Sequence, residues 1–305
     1  MEALLNGILK ECASYSKTGK VASYIPELAK ADTSKFGICV MQKDGGTFCS
    51  GDADAKFTMQ SIIKPIILLL ALLDAGMDKI SKLVGVEATG KPFDAFNYSD
   101  QALKSEHINP MINTGAIALG TLIAGETYAE KFERLLNLTR RMADNPDLSV
   151  DENVYLSEKS TGNKNRALAY MLKAYGMLED DVEEVLDFYF RACSIKATAK
   201  DLAKIAFILA NKGKNPETDE QLFAPEYAKY VNAVMMTCGM YDGSGAFAVN
   251  VGVPAKSGVG GGIMAVVPGK MGIGLFSPAL DSKGNSIASI KALEILSREL
   301  DLSIF

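Results

Sequence analysis

Residues 60–73 read Gln60-Ser61-Ile62-Ile63-Lys64-Pro65-Ile66-Ile67-Leu68-Leu69-Leu70-Ala71-Leu72-Leu73. Proline has no backbone N–H and is accommodated only in the first turn of a helix, so Pro65 sets a helix start near Ser61. The apolar run that follows stops at Asp74. It is far shorter than the ~20 residues of a membrane span and reads as a buried helix. Residues three apart share a helix face, so the amine of Lys64 can reach the hydroxyl of Ser61. Packing against the apolar run strips water from that amine and lowers its pKa, which makes a neutral base available beside a serine at a helix N-terminus.

Upstream, Leu4, Leu5, Ile8, Leu9 and Cys12 recur at helical spacing and predict an opening helix. Two short apolar runs, 36–41 and 47–49, flank Asp44-Gly45, a hairpin signal. Downstream, 66–195 is dominantly helical, with helices expected near 128–145, 165–177 and 181–191. A further helix runs from Thr198 through Leu209 and stops at Gly213, and another covers 224–237. The texture then changes. Residues 246–254, 263–267 and 272–276 read as strands, with Pro268-Gly269 as a turn, before a last helix at 286–300. Strands from both ends of the chain must share one sheet. The fold class expected is α/β (α+β): an antiparallel sheet flanked by terminal helices, built from 1–65 and 196–305, with an all-helical lobe at 66–195 inserted and the active site between the lobes.

The 305 residues are enough for a sizeable core, and 48% hydrophobic with 23% charged residues is an ordinary globular composition. A net charge of −5 excludes nucleic acid as the main partner. The N-terminus shows no signal pattern, so a cytosolic location and no membrane partner are expected, and the triplets Asn97-Tyr98-Ser99 and Asn137-Leu138-Thr139 carry no weight as glycosylation sites. The five cysteines lack CxxC spacing and read as reduced, structural thiols, with Cys193 and Cys238 in the core. One histidine, His107, and no cysteine cluster leave no metal or cofactor to expect. A Ser-His-Asp triad would have to use His107, so a lysine or tyrosine base comes first.

SxxK alone is common, and its bland alternative is a capping serine with a surface lysine. Lys256-Ser257-Gly258 changes that weighting. Set between strand-like runs, it resembles the Lys-Thr-Gly element of penicillin-recognising serine enzymes with Ser in place of Thr. Residues 243–248 fit GxGxxA, but a strand-like run follows them instead of a helix. The run Gly258-Val259-Gly260-Gly261-Gly262 lacks the Gly-Lys-Ser/Thr of a phosphate loop. It reads as a place where a substrate lies against strand backbone, or as a bulge or tight turn.

Seven motifs, in order, resemble the serine-dependent glutaminase family: Gln60-Ser61-Ile62-Ile63-Lys64; Asn109-Pro110-Met111-Ile112-Asn113-Thr114-Gly115; Ser157-Glu158; Asn165-Arg166-Ala167-Leu168-Ala169; Tyr189-Phe190 with Cys193-Ser194; Thr237-Cys238-Gly239-Met240-Tyr241-Asp242; and Pro254-Ala255-Lys256-Ser257-Gly258-Val259-Gly260-Gly261-Gly262. The resemblance begins at Val21-Ala22-Ser23-Tyr24-Ile25-Pro26 and covers nearly the whole chain. Ile63 stands where many members have Ser, and Thr114 where Ala or Ser is usual. It implies a β-lactamase/DD-peptidase-like fold, without the ankyrin extension of animal relatives, and hydrolysis of the small-molecule substrate L-glutamine. By the same resemblance Ser61 is the nucleophile, Lys64 the base and Tyr241 a second proton carrier, with the amides of Ser61 and Val259 as oxyanion hole. Tyr24, Asn113, Glu158, Asn165 and Tyr189 fall at its binding positions. Glu158, the one anion among them, is expected to meet the substrate ammonium while the amides and phenols read its carboxylate. Lys256, Ser257 and Gly258 form a supporting wall. Relatives form dimers and tetramers, so a homodimer or homotetramer is expected. The competing readings are a β-lactamase or DD-peptidase of the same fold and a non-catalytic relative that binds an amino acid.

Overall fold

The computed structural model of the chain describes residues 1–90 and 108–305. His107 and the Asn97-Tyr98-Ser99 triplet lie outside them. Helix α1 (Glu2–Cys12) opens the chain, and strands β1 (Gly37–Gln42) and β2 (Thr47–Gly51) form the expected hairpin. Gly45 takes the left-handed φ of 86° that this turn requires. The short strand β3 (Phe57–Thr58) leads through a 3-10 turn, Gln60–Ile63, into α2 (Lys64–Ala75) and α3 (Met77–Leu83). Pro65 is the second residue of α2, so the α-helix proper begins three residues after Ser61.

Among the described residues five α-helices follow: α4 (Asn113–Thr121), α5 (Tyr128–Ala143), α6 (Glu152–Thr161), α7 (Asn163–Ala174) and α8 (Val182–Cys193). The chain then passes through β4 (Lys196–Ala197), α9 (Ala199–Ala210), α10 (Pro225–Cys238) and α11 (Ser244–Asn250). It ends with β5 (Ala255–Ser257), β6 (Gly262–Val267), β7 (Met271–Phe276) and α12 (Ile287–Leu300).

The main sheet is five-stranded and antiparallel, in the order β2-β1-β7-β6-β5, so strands from the two ends of the chain do share it. Side chains alternate across its faces. Ile38, Val40, Ile263, Ala265, Ile273 and Leu275 pack on Leu5 and Ile8 of α1 and Leu293 and Leu296 of α12. Cys39, Met41, Met264, Val266 and Phe276 face the other way and join α9 to the main helical core, which contains most of α2. Burial on both faces explains why β6 and β7 read as unbroken apolar runs. Among the described residues no helix is long and apolar enough to cross a membrane, and no group of His, Cys, Asp or Glu could hold a metal ion.

Two expectations are corrected. Residues 246–254 are not a strand. Phe247 and Val251 are buried four residues apart while Val249 is 86% exposed, which is helical burial, and Gly252 at φ 73° ends the run before β5. Helix α11 lies almost wholly within the GxGxxA match and extends only two residues beyond it. The thiols are not all reduced, because the β1/β2 register sets Cys39 opposite Cys49 and a disulfide joins them, while Cys12, Cys193 and Cys238 are free and buried. The glycine run 258–262 forms a tight turn, in which the Gly258 amide donates to the Gly262 carbonyl at 3.0 Å and the Gly261 amide to the Gly258 carbonyl at 2.9 Å, and two of its glycines meet the chain's own backbone. A Cβ on Gly258 would lie 2.4 Å from the Met59 carbonyl oxygen, and one on Gly260 2.4 Å from that of Thr58. Only glycine lets β5 and its loop approach the segment that carries Ser61 this closely.

Candidate active site

Ser61 is held from both sides along the chain. Before it, β3 pairs with β4, and the Met59 amide donates to the Ile195 carbonyl at 2.9 Å, which ties the turn to the end of α8. After it, α2 plunges into the core. Gln60, between them, has φ 50°, a left-handed conformation that few side-chain-bearing residues adopt.

Lys64, first residue of α2, is 1% exposed. Its Nζ donates to Ser61 Oγ at 2.8 Å and to Asn113 Oδ1 at 2.7 Å. Burial pulls the amine down to about 8, against the opposing pull of Cys193 and Glu158. The bland alternative of a surface lysine is overturned. Asn113, first residue of α4, is the junction of the polar site: its Oδ1 also accepts from the Tyr189 hydroxyl of α8 at 3.1 Å, and its Nδ2 donates to Asn165 Oδ1 of α7 at 2.8 Å.

Glu158 of α6 is buried, and burial pushes its carboxyl up to about 8, opposed by a hydrogen bond from Gln60 and by Lys64. Gln60 Nε2 donates to Glu158 Oε2 at 3.4 Å. On the opposite wall, the Tyr241 hydroxyl donates to the Ser257 carbonyl at 3.2 Å and shares a hydrogen bond with Ser61. Burial raises that phenol above its ordinary value. Lys256, fully buried, donates to the carbonyls of Ser257 at 2.7 Å and Gly239 at 3.0 Å, and its Nζ sits 4.4 Å from the centre of the Tyr241 ring. Burial, with the like charge of Lys64, holds its amine well below the ordinary lysine range.

Most of these groups line an open-mouthed pocket. Tyr24, Ser61, Asn113, Glu158, Asn165, Tyr189, Tyr241 and Val259 all line it, and Glu158 is the only carboxylate among its described lining residues. Tyr24 stands at the mouth, 56% exposed. Lys64, Lys256, Ser257 and Gly258 stand behind the lining. The glutaminase family profile matches residues 19–305. The chain belongs to the glutaminase family.

Among glutaminases it is 54% identical to the enzyme of Clostridium tetani and 48% identical to glutaminase 2 of Clostridium perfringens, in each case over 305 residues and the whole of both chains. It also matches the structure of a Bacillus subtilis glutaminase in covalent complex with 5-oxo-L-norleucine, formed by reaction with 6-diazo-5-oxo-L-norleucine. That match is at 38% identity with a TM-score of 0.91, over all of this chain and 99% of that one. Bacterial glutaminases have a β-lactamase-like fold, and the antiparallel sheet with helices on both faces conforms to it.

Four lining residues were given no role in the site by the sequence: Gln60, Met111, Ile112 and Cys193. Cys193 follows Tyr189 by one helical turn on α8, so its place on the same face was legible from spacing. Nothing local marks Gln60, whose importance lies in its backbone angle and in contacts to α6 and α8.

Two ionisations of the pocket therefore fall near pH 8: below it the Lys64 amine is charged and the Glu158 carboxyl holds its proton. kcat/KM for glutamine is expected to climb with pH from about 6 to about 9, with its limb near 8. A profile flat across that range would contradict the assignment of a neutral amine to Lys64.

Proposed function

We propose that this chain hydrolyses L-glutamine to L-glutamate and ammonia through a Ser61 acyl-enzyme with Lys64 as base. The observation that carries the reading is the buried Lys64 amine 2.8 Å from Ser61 Oγ, at a pocket whose one described lining carboxylate is Glu158. Neutral Lys64 takes the Ser61 proton as Oγ attacks the side-chain amide carbon, and the amides of Ser61 and Val259 hold the oxyanion. Tyr241, hydrogen-bonded to Ser61, carries the proton to the departing nitrogen. Ammonia leaves, and water, deprotonated by the same pair, hydrolyses the glutamyl ester. The covalent complex of the Bacillus subtilis relative supports a covalent route.

Glu158 receives the α-ammonium. A carboxyl pushed up to about 8 by burial regains its ordinary acidity when a cation arrives beside it, so binding the ammonium releases a proton from it. Asn113, Asn165, Tyr189 and Tyr24 offer amides and phenols to the α-carboxylate, and Lys256, Ser257 and Gly258 back the wall that carries Tyr241. In this reading the site lies between a sheet lobe of 1–65 and 196–305 and a helical lobe of 66–195, in a homodimer or homotetramer.

Ser61→Ala and Lys64→Ala are each expected to lower kcat by on the order of a thousandfold or more, with the double variant little worse than either, because the two residues act as one unit. Steady-state ammonia release measures this, and near-wild-type turnover by either single variant would remove it from the dyad. A charge-assisted hydrogen bond is worth about 1.5–3 kcal/mol, so Glu158→Gln is expected to cost about 10- to 150-fold in kcat/KM for glutamine. N-acetylglutamine lacks the ammonium; it should be a poor substrate for the wild type and lose much less on that substitution. Equal loss on both substrates, or less than about a twofold loss on glutamine, would contradict the ammonium role.

A further inference from the structure

Tyr241 has φ 55°, although turn-forming Asp242 and Gly243 are the next two residues in sequence. A tyrosine in this region is strained, and it stays there only where its surroundings over-determine it. Two side chains supply that constraint. Ser244, 6% exposed, accepts from the Met240 amide at 3.0 Å and donates to the Tyr241 carbonyl at 2.8 Å, so one hydroxyl ties the peptide that precedes Met240 to the peptide that follows the strained residue. Asn285, 1% exposed, donates through Nδ2 to the Met240 carbonyl at 3.2 Å. Its Oδ1 has no partner among the described residues, so the side chain is used from its donor end.

Asn285 is itself rigidly mounted. Asp281 Oδ1 accepts from the amides of Lys283 and Asn285, both at 2.9 Å, and the Asp281 amide donates to the Asn285 carbonyl at 2.8 Å. Leu280 bridges both Lys20 and Ser286, which continues the mounting toward the segment that presents Tyr24. Neither Ser244 nor Asn285 lines the pocket.

We propose that Ser244 and Asn285 are positioning residues that lock the backbone of Tyr241 in its left-handed conformation and thereby aim its hydroxyl at Ser61. The proposal rests on the reading of Tyr241 as second proton carrier. With the lock released, Tyr241 relaxes toward negative φ, and its ring leaves Lys256 and the Ser257 carbonyl.

The test is steady-state kinetics of Ser244→Ala and Asn285→Leu in the full chain, each in the wild-type and in the Tyr241→Phe background, with melting temperatures. Leucine is close to asparagine in shape but cannot donate to Met240. In the wild-type background kcat is expected to fall about 10- to 100-fold while KM for glutamine moves less than about twofold. In the Tyr241→Phe background neither substitution should lower kcat further. Equal loss in both backgrounds, a rise in KM matching the loss in kcat, or wild-type kcat in folded variants would overturn the lock. If Ser244→Ala melts below the assay temperature, Asn285→Leu decides. Wild-type kcat in Tyr241→Phe alone would instead overturn the role of Tyr241, a failure distinct from a slow Tyr241→Phe enzyme beside unaffected lock variants.

Discussion

The Lys64 side chain ends in the protein interior, where its two acceptors are a hydroxyl and a neutral amide oxygen. Displacement of the amine from its ordinary 10.5 to about 8 disfavours its charged form by roughly 3 kcal/mol. The structure around it is arranged to sustain that burial. Ile66 to Ala71 and Leu72, almost without exposure, anchor α2 in the main core, and Pro65 in the first turn fixes where that helix begins. On the far side the glycine run after Ser257 lets backbone approach the Met59 and Thr58 carbonyls with no side chains between, closing the space behind Ser61.

The same constraint shapes the polar wall. Asn113 Oδ1 is shared between Lys64 and Tyr189, so amine, phenol and the neighbouring Asn165 amide are placed relative to one another by a single side chain at the start of α4. Two residues in left-handed conformations, Gln60 and Tyr241, flank Ser61 from different elements. Strain at such positions costs on the order of 1–3 kcal/mol each and persists where packing leaves no alternative. Gln60 also spans from Ser61's turn to Glu158 and to the Cys193 carbonyl at 3.4 Å, linking the residues proposed to do chemistry with the residue proposed to read the ammonium.

What was legible in the sequence is what local spacing controls. Ser61 and Lys64 three residues apart, Pro65 in a first turn, Asp44-Gly45 in a hairpin and the amphipathic α1 are all decided within one or two turns of chain, and the structure contains each. Residues 246–254 misled because their valines and alanines suit a strand as well as a helix. What decides for α11 is tertiary burial of Phe247 and Val251. The Cys39–Cys49 disulfide depends on a β register that no cysteine count reveals. The pairing of β3 with β4 is two residues long, too short for any periodicity, yet it joins Ser61's turn to the end of α8. The eight predicted positions that line the pocket lie on segments from Tyr24 to Val259, so their convergence came from resemblance to a family and not from any local signal.

The central claim, that Ser61 forms a covalent bond to the side-chain carbon of a glutamine-shaped molecule, is tested most directly by the mass of the intact protein after treatment with 6-diazo-5-oxo-L-norleucine. The account predicts a single added 5-oxo-L-norleucine, mapped by peptide fragmentation to Ser61 and absent from Ser61→Ala. An adduct on another residue such as Cys193, or no adduct on an enzyme that still turns over glutamine, would contradict it.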